Sequence, residues 1–117
     1  MAKILIAEDS NYMRKTLSDI LVKIGYTELV EAEDGKQAVE MFDKEKPDLV
    51  LLDLIMPQMD GIAVLKVIMP KGARVLVVSA VGQDSMIAQA RELGVKGYIV
   101  KPFEEAQVIE EVKKILA

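Results

Sequence analysis

Strand-like and helix-like segments alternate five times along this chain, and no other feature limits its possible folds as strongly. Short apolar runs predict strands at residues 3–7, 28–32, 49–52, 74–78 and 98–100. Each run is followed by a segment with apolar residues at helical spacing. Because such alternation is typical of a parallel sheet with helices on both faces, we predict an α/β fold. Five units are too few for an eight-stranded barrel, so the sheet should be open, with strands in the order 2-1-3-4-5.

Capping and helix-breaking residues set the predicted limits of the helices. Side chains with an oxygen are favoured at a helix start because they accept hydrogen bonds from the free backbone amides of the first turn. The predicted helices begin at Ser10 or Asn11, at Asp34-Gly35, at Asp60-Gly61, at Asp84 or Ser85, and around Glu104-Glu105. Glycine and proline mark where four of them end, at Gly25, before Pro47, at Pro70 and at Gly94.

The third predicted strand is the centre of the candidate site. Leu49–Leu52 is an unbroken apolar run, which is typical of a strand covered on both faces. Asp53 follows it directly, and Met56-Pro57 and Asp60-Gly61 come soon after. Since proline and glycine end regular structure, Asp53 should lie where a buried strand enters a loop. A carboxylate there is either a cap or turn residue or a reactive group, and the residue alone does not decide between them.

Polar side chains follow four of the five predicted strands at one edge of the sheet. Glu8 and Asp9 follow the first strand, Asp53 the third, Ser79 the fourth and Lys101 the fifth. Each has an ordinary explanation on its own, as a helix-start charge, a turn residue or a solvated lysine. Strands 1 and 3 flank the point where the strand order reverses, and ligands of open α/β sheets bind in the crevice there. The convergence of five polar groups therefore predicts a functional site.

The chemistry of this cluster favours a divalent cation and phosphoryl transfer. Three carboxylates held together repel one another, so one must bind a proton or the group must bind a cation. Hard oxygen ligands suit Mg²⁺, which tends to use one or two carboxylates together with phosphate oxygens. With a lysine and a hydroxyl nearby, such a site stabilises negative charge on a transferring phosphoryl group. Asp53 could then be the nucleophile that forms an aspartyl phosphate.

The composition excludes other classes of chemistry and limits the partners. The chain has no cysteine and no histidine, which excludes disulfides, thiol catalysis, imidazole bases and phosphohistidine. Its net charge is −4 and it has no basic run, so we expect no nucleic-acid partner. No apolar run approaches roughly 18 residues and the start lacks a signal-peptide layout, so we expect no membrane contact and a cytoplasmic location. With 117 residues, we expect a single domain over 1–117 and a monomer.

Four sequence blocks resemble those of the response-regulator receiver domain. They are Glu8-Asp9, the run Asp-Leu-Ile-Met-Pro-Gln-Met-Asp-Gly from Asp53 to Gly61, Ser79-Ala80 and Lys101-Pro102-Phe103. The blocks come in the family's order with (βα)₅ between them, and the resemblance covers essentially the whole chain. Within the family the chain is most similar to the stand-alone chemotaxis regulators, since it ends with its fifth helix.

The resemblance implies a role for each charged residue of the cluster. Asp53 would accept a phosphoryl group from a histidine kinase. Asp9, Asp53 and the backbone carbonyl of Ile55 would hold Mg²⁺, with Glu8 acting through water. Lys101 would pair with the phosphoryl group. The protein would then be a signalling switch that assists its own phosphorylation and dephosphorylation, not an enzyme with a separate substrate.

The resemblance also implies how the signal is transmitted. Ser79 and Tyr98 would be the hydroxyl and aromatic switch pair, and the face of helix 4, strand 5 and helix 5 would bind a target. A cis peptide bond is expected at Pro102. Ile55 and Val81 are apolar at positions that often tune the dephosphorylation rate in this family.

Other interpretations share part of the pattern. A flavodoxin-like carrier of flavin mononucleotide would have the same (βα)₅ fold class, but Glu8 and Asp9 would repel its phosphate. A haloacid-dehalogenase-type phosphatase uses an aspartyl nucleophile and Mg²⁺, but expects a second aspartate where this chain has Asn11. A purely structural module leaves the five converging groups unexplained. Within the receiver interpretation, we favour a chemotaxis regulator that binds a flagellar or archaellar motor component, and a phosphorelay intermediate stays open as the alternative.

Overall fold

Strands form where the apolar runs lie, and helices form between them. The computed structural model describes residues 2–117. The strands are β1 (Lys3–Ala7), β2 (Glu28–Ala32), β3 (Leu49–Leu52), β4 (Val75–Ala80) and β5 (Gly97–Lys101). The helices are α1 (Asn11–Lys23), α2 (Gly35–Glu45), α3 (Gly61–Ile68), α4 (Asp84–Glu92) and α5 (Glu105–Leu116), with a 3-10 turn at Met69–Lys71 after α3. Among the described helices, none is long and apolar enough to cross a membrane.

The five strands form one parallel sheet in the order β2-β1-β3-β4-β5, which confirms the predicted architecture. β1 lies between β2 and β3, and Ala7 pairs with both Ala32 and Leu52. The strand order therefore reverses between β1 and β3. The residues after Ala7 and Leu52 enter loops that leave the sheet at the same edge, where a crevice opens.

Two hydrophobic clusters cover the two faces of the sheet. Side chains alternate between the faces of a strand, so neighbours in sequence enter different clusters. Leu5, Val50 and Leu52 pack with residues of α2, α3 and α4, and Ile6, Leu51 and Leu76 pack with residues of α1 and α5. All four residues of β3 are buried, as expected for a strand covered on both sides. This central strand holds Asp53 on a rigid support.

Three of the helix starts agree with the sequence. The side chains of Ser10, Asp34 and Asp60 each accept a hydrogen bond from a backbone amide in the first turn of the following helix. The predicted cap of α4 is wrong, because Gln83 occupies the cap position and Asp84 is the first helical residue. The Asp84 carboxylate instead lies in the first turn, where it interacts favourably with the positive end of the helix dipole.

Two strands are longer than predicted at the edge that carries the site. The β4–β5 ladder continues through the pairs Ser79–Val100 and Ala80–Lys101, so both Ser79 and Lys101 lie within strands. The sequence had placed both residues in the loops that follow these strands, and that prediction is wrong. Backbone pairing on β4 and β5 therefore fixes the positions of these two side chains more firmly than a loop would.

Candidate functional site

Lys101 connects two carboxylates that follow the neighbouring strands β1 and β3. Its ammonium Nζ lies 2.5 Å from Oε1 of Glu8 and 3.1 Å from Oδ2 of Asp53. Glu8 and Asp53 are only 2% and 7% exposed, while Lys101 is partly exposed. Hydrogen bonds to a charged group are the strongest that proteins form, and here they join β1, β3 and β5. The structure thus brings together three of the predicted site residues.

Burial and the neighbouring charges change the pKa values of Glu8 and Lys101. Burial raises the pKa of Glu8 from 4.5 to about 7, with a further contribution from the negative charge of Asp53, while the hydrogen bonds from Lys101 and from the amide of Ser10 oppose the increase. Burial lowers the pKa of Lys101, but the hydrogen bond to Glu8 and the charges of Asp53 and Glu8 outweigh it and the pKa is raised. Near neutral pH the lysine is charged, and Glu8 is close to its titration midpoint.

Asp9 completes a group of three carboxylates. One oxygen from each of Glu8, Asp9 and Asp53 lies within 4.8 Å of the others, with Asp9 on the solvent side. One lysine offsets only part of this negative charge. The oxygens are hard ligands, and an exposed side leaves room for water, which is the coordination that Mg²⁺ prefers. The donor set therefore fits the predicted metal.

Asp53 is held in one orientation by its own loop. Its Oδ1 accepts a hydrogen bond of 3.1 Å from the amide of Ile55, and its own amide donates to the carbonyl of Ala7 at 3.0 Å. Gly61 packs against the backbone here, since a Cβ at this position would lie 2.5 Å from Cα of Leu54 and 2.8 Å from the carbonyl oxygen of Asp53. The glycine thus lets α3 begin directly beside the site, a role that the sequence indicated only as a helix start.

Ser79 is fully buried, and its hydroxyl has no hydrogen-bond partner within the described residues. It lies beside Val100 in the sheet, one residue before the Ala80–Lys101 pair. A buried hydroxyl without a partner costs about 1–3 kcal/mol, so such groups are uncommon in native proteins. The hydroxyl of Ser79 is therefore available as a donor, and its role in the switch stays a prediction.

Tyr98 lies on the outer face of β5 and is 39% exposed. The guanidinium carbon of Arg91 on α4 is 4.2 Å from the centroid of its ring, a cation–π contact. Tyr98 also lines a groove of about 390 Å³ between β5 and α5 and one of about 470 Å³ between α4 and β5. The predicted switch aromatic is therefore outside the core in this state, on a surface with concave features.

Two arginines near these groups were missed from the sequence. Arg14 is buried on the inner face of α1 and Arg91 contacts Tyr98. The signal for Arg14 was available, because it lies three residues before Leu17 and seven before Leu21, on the stripe where an apolar residue is expected. No comparable signal marks Arg91, which is one of several charged residues on the exposed side of α4.

Comparisons with known proteins identify the family of this chain. A family model for the response regulator receiver domain matches residues 4–113, so the chain belongs to that family, as predicted. It is 47% identical over 116 residues to the chemotaxis protein CheY of Bacillus subtilis strain 168, covering 97% of each chain. It is 40% identical to the sporulation initiation phosphotransferase F of the same strain, covering 97% of this chain and 93% of the relative. A chain in the crystal structure of the CheX–CheY–BeF₃–Mg²⁺ complex from Borrelia burgdorferi matches with a TM-score of 0.92 at 35% identity, covering 99% of this chain and 90% of that chain.

Proposed function

We propose that this chain is a phosphorylation-controlled signalling switch and that Asp53 is its phosphoacceptor. The observation that carries the proposal is the contact between Asp53 and Lys101, at the end of the central strand and beside the acidic pair. Each carboxylate oxygen of Asp53 accepts one hydrogen bond, from the amide of Ile55 and from the ammonium of Lys101. These bonds fix the orientation of the nucleophile, and fixed orientation accounts for much of the rate gain in group transfer.

The phosphodonor would be a phosphohistidine of a kinase. An oxygen of Asp53 forms a bond to phosphorus, the bond from phosphorus to the imidazole nitrogen breaks, and the imidazole leaves with the electron pair. The product is an acyl phosphate on Asp53. Lys101 is already within hydrogen-bond distance of the carboxylate and would follow the new charge on the phosphoryl oxygens.

Asp9, Asp53 and the backbone carbonyl of Ile55 would hold Mg²⁺, and Glu8 would contact it through water. When bound, the ion would neutralise negative charge that builds up on the phosphoryl oxygens. Glu8 is hydrogen-bonded to both Lys101 and the amide of Ser10 and is less free to reach a metal directly. This difference supports a direct role for the exposed Asp9 and an indirect one for Glu8.

The signal would travel from Asp53 to the surface of α4, β5 and α5. New phosphoryl oxygens would offer acceptors to the unpaired hydroxyl of Ser79. Movement of Ser79 would open space behind β4, and Tyr98 would turn inward to fill it. The grooves beside Tyr98 would then change shape, and a protein target would bind there.

The favoured output is chemotaxis or motility in the cytoplasm, with a flagellar or archaellar motor component as target. This rests on 47% identity to a chemotaxis protein and on the CheX–CheY complex among related structures. A phosphorelay intermediate is the second candidate, because a phosphotransferase is 40% identical. A histidine-containing phosphotransfer domain should remove the phosphoryl group rapidly in a relay, whereas a motor target should bind the phosphorylated chain and leave the group in place.

The phosphoacceptor is tested by intact mass after incubation with acetyl phosphate and Mg²⁺. We expect one added phosphoryl group in the wild type and none in Asp53→Asn. Asp19→Asn is the matched control, because Asp19 pairs with Lys15 on the exposed side of α1. Addition to Asp53→Asn at the wild-type level would refute the assignment.

A further inference from the structure

Arg14 holds the backbone that carries the acidic pair. It is 8% exposed, and its Nη1 donates to the carbonyl oxygens of Glu8 at 2.7 Å and Asp9 at 3.2 Å. Its backbone amide donates to the carbonyl of Ser10 at 2.9 Å, and its Nη2 donates to the side chain of Asn11. One residue on the second turn of α1 therefore binds three consecutive carbonyls of the β1–α1 connection.

The positive charge of Arg14 is balanced by two carboxylates that lie outside the candidate site. Its Nε donates to Oε1 of Glu31 at 3.0 Å, and Nη2 lies 3.7 Å from Oε2 of Glu33. Glu31 lies on the edge strand β2, and both carboxylates are more than half exposed. The hydrogen bonds of the guanidinium toward the candidate site thus go to backbone carbonyls, not to the Glu8 and Asp9 carboxylates.

The contacts of Arg14 with the backbone bear on the metal site because they hold the connection that carries Asp9. Asp9 is exposed and lies in a short connection between β1 and α1, next to two other carboxylates. When no cation is bound, repulsion among the three carboxylates favours larger distances between them. We propose that Arg14 is a positioning residue for Mg²⁺: by holding the carbonyls of Glu8 and Asp9, it keeps the carboxylates at the spacing that the cation needs. The proposal rests on the metal site described under the proposed function.

Positioning and simple charge effects predict opposite results when Arg14 is replaced by an apolar residue. Arg14→Met removes a positive charge from the neighbourhood of a divalent cation, so electrostatic repulsion alone predicts tighter Mg²⁺ binding. Loss of the two carbonyl contacts predicts weaker binding instead. Replacing residues that hold metal ligands in place typically lowers metal affinity by about 10- to 100-fold.

The test measures Mg²⁺ affinity by calorimetry on the unphosphorylated protein, together with thermal unfolding in the presence of a chelator. We expect Arg14→Met to bind Mg²⁺ about tenfold more weakly than wild type. Arg14→Lys should also bind more weakly although its charge is kept, because an ammonium does not reproduce the planar fork of the guanidinium. Equal or tighter binding in Arg14→Met overturns the proposal. If that variant does not fold, wild-type affinity in Arg14→Lys overturns it.

Arg74 provides a matched control at the opposite edge of the sheet. It directly precedes β4, and its guanidinium also donates to backbone carbonyls, of Asp48 at 3.1 Å and of Ile115 at 3.4 Å. Arg74→Lys should lower the melting temperature without changing Mg²⁺ affinity, and an equal loss of affinity in both lysine variants overturns the proposal. Asp53→Asn separates this inference from the proposed function: phosphorylation of that variant refutes the phosphoacceptor, while the Mg²⁺ affinity of the Arg14 variants is measured without any phosphodonor.

Discussion

Glu8 shows how a single buried carboxyl group can determine the behaviour of the site. It is 2% exposed, yet it lies beside a second buried carboxylate and an ammonium group. Burial makes its neutral form favourable, and this is why its pKa is raised to about 7. A proton on Glu8 and a bound divalent cation would each reduce the net negative charge of this group of carboxylates.

The raised pKa of Glu8 predicts how stability depends on pH. The folded protein binds the proton more tightly than the unfolded chain, so Glu8 stabilises the fold fully below pH 4.5 and loses this contribution as the pH rises to about 7. The increase in the pKa of Glu8 from 4.5 to about 7 corresponds to a loss of free energy of unfolding on the order of 3 kcal/mol over this pH range. Denaturant unfolding with a chelator, at about pH 5 and about pH 8, measures it.

Glu8→Gln is the variant for this pH test. Its free energy of unfolding should fall less than that of the wild type over the same interval, because glutamine does not titrate. Glu105→Gln serves as control, since Glu105 forms an ion pair with Lys23 on the surface and should keep the wild-type slope. A Glu8→Gln slope equal to that of the wild type would show that this group does not titrate as described.

Asp9 allows a test in which stability and metal binding move in opposite directions. Asp9→Asn removes one charge from three carboxylates whose oxygens lie within 4.8 Å of one another, so the metal-free protein should melt a few degrees higher. The same change removes a charged ligand and should weaken Mg²⁺ binding. Thermal melting with a chelator and Mg²⁺ calorimetry measure the two effects, and equal Mg²⁺ affinities would exclude Asp9 as a ligand.

At the scale of elements, the proposed switch depends on α4 and on the neighbouring strands β4 and β5. The Arg91 guanidinium of α4 contacts the outward ring of Tyr98, while the Ser79 hydroxyl on the neighbouring strand β4 has no partner in the described residues. The first contact favours the outward ring, and the unpaired hydroxyl favours any state that provides an acceptor. Phosphorylation at Asp53 would change the balance between them.

Removing the Arg91 contact should shift the ring toward the core without phosphorylation. A cation–π contact at an exposed site contributes about 0.5–1 kcal/mol, so Arg91→Ala should raise the inward population of Tyr98 about two- to fivefold. NMR of the isotope-labelled Tyr98 ring follows this population. Glu92→Ala, one residue further along α4, is the control, and an unchanged ring environment in Arg91→Ala would count against the contact as a restraint.

Ser79 should matter for the response but not for the acceptance of the phosphoryl group. Ser79→Ala removes the only hydroxyl at this buried position and leaves Asp53 and Lys101 unchanged, so phosphorylation by acetyl phosphate should continue. The change in the Tyr98 signal and the gain in target affinity should be smaller than in the wild type. Tyr98→Ala should be phosphorylated normally and show little gain in affinity, and a normal gain in that variant would rule out this route.

At the scale of the whole molecule, the sequence contains most of the fold because its periodicity is regular. Alternating apolar runs and amphipathic segments predict the sheet, its order and the edge at which Glu8, Asp53 and Lys101 meet, and all three lie together in the structure. The ends of β4 and β5 were not predictable from one segment, because the Ala80–Lys101 pair depends on both strands. The contacts of Arg14 and Arg91 were missed because they depend on side-chain orientation, although the position of Arg14 on the apolar stripe of α1 was a signal that it is buried.

The central claim is that Asp53 alone carries the phosphoryl group, and chemical reduction tests it most directly. Borohydride reduces an acyl phosphate to an alcohol, so the aspartyl phosphate becomes homoserine, which peptide mass spectrometry locates in the sequence. After treatment with acetyl phosphate and Mg²⁺, we expect homoserine at position 53 and unmodified aspartate at positions 9 and 60. Homoserine at another position, with Asp53 unmodified in a phosphorylated sample, would contradict the account.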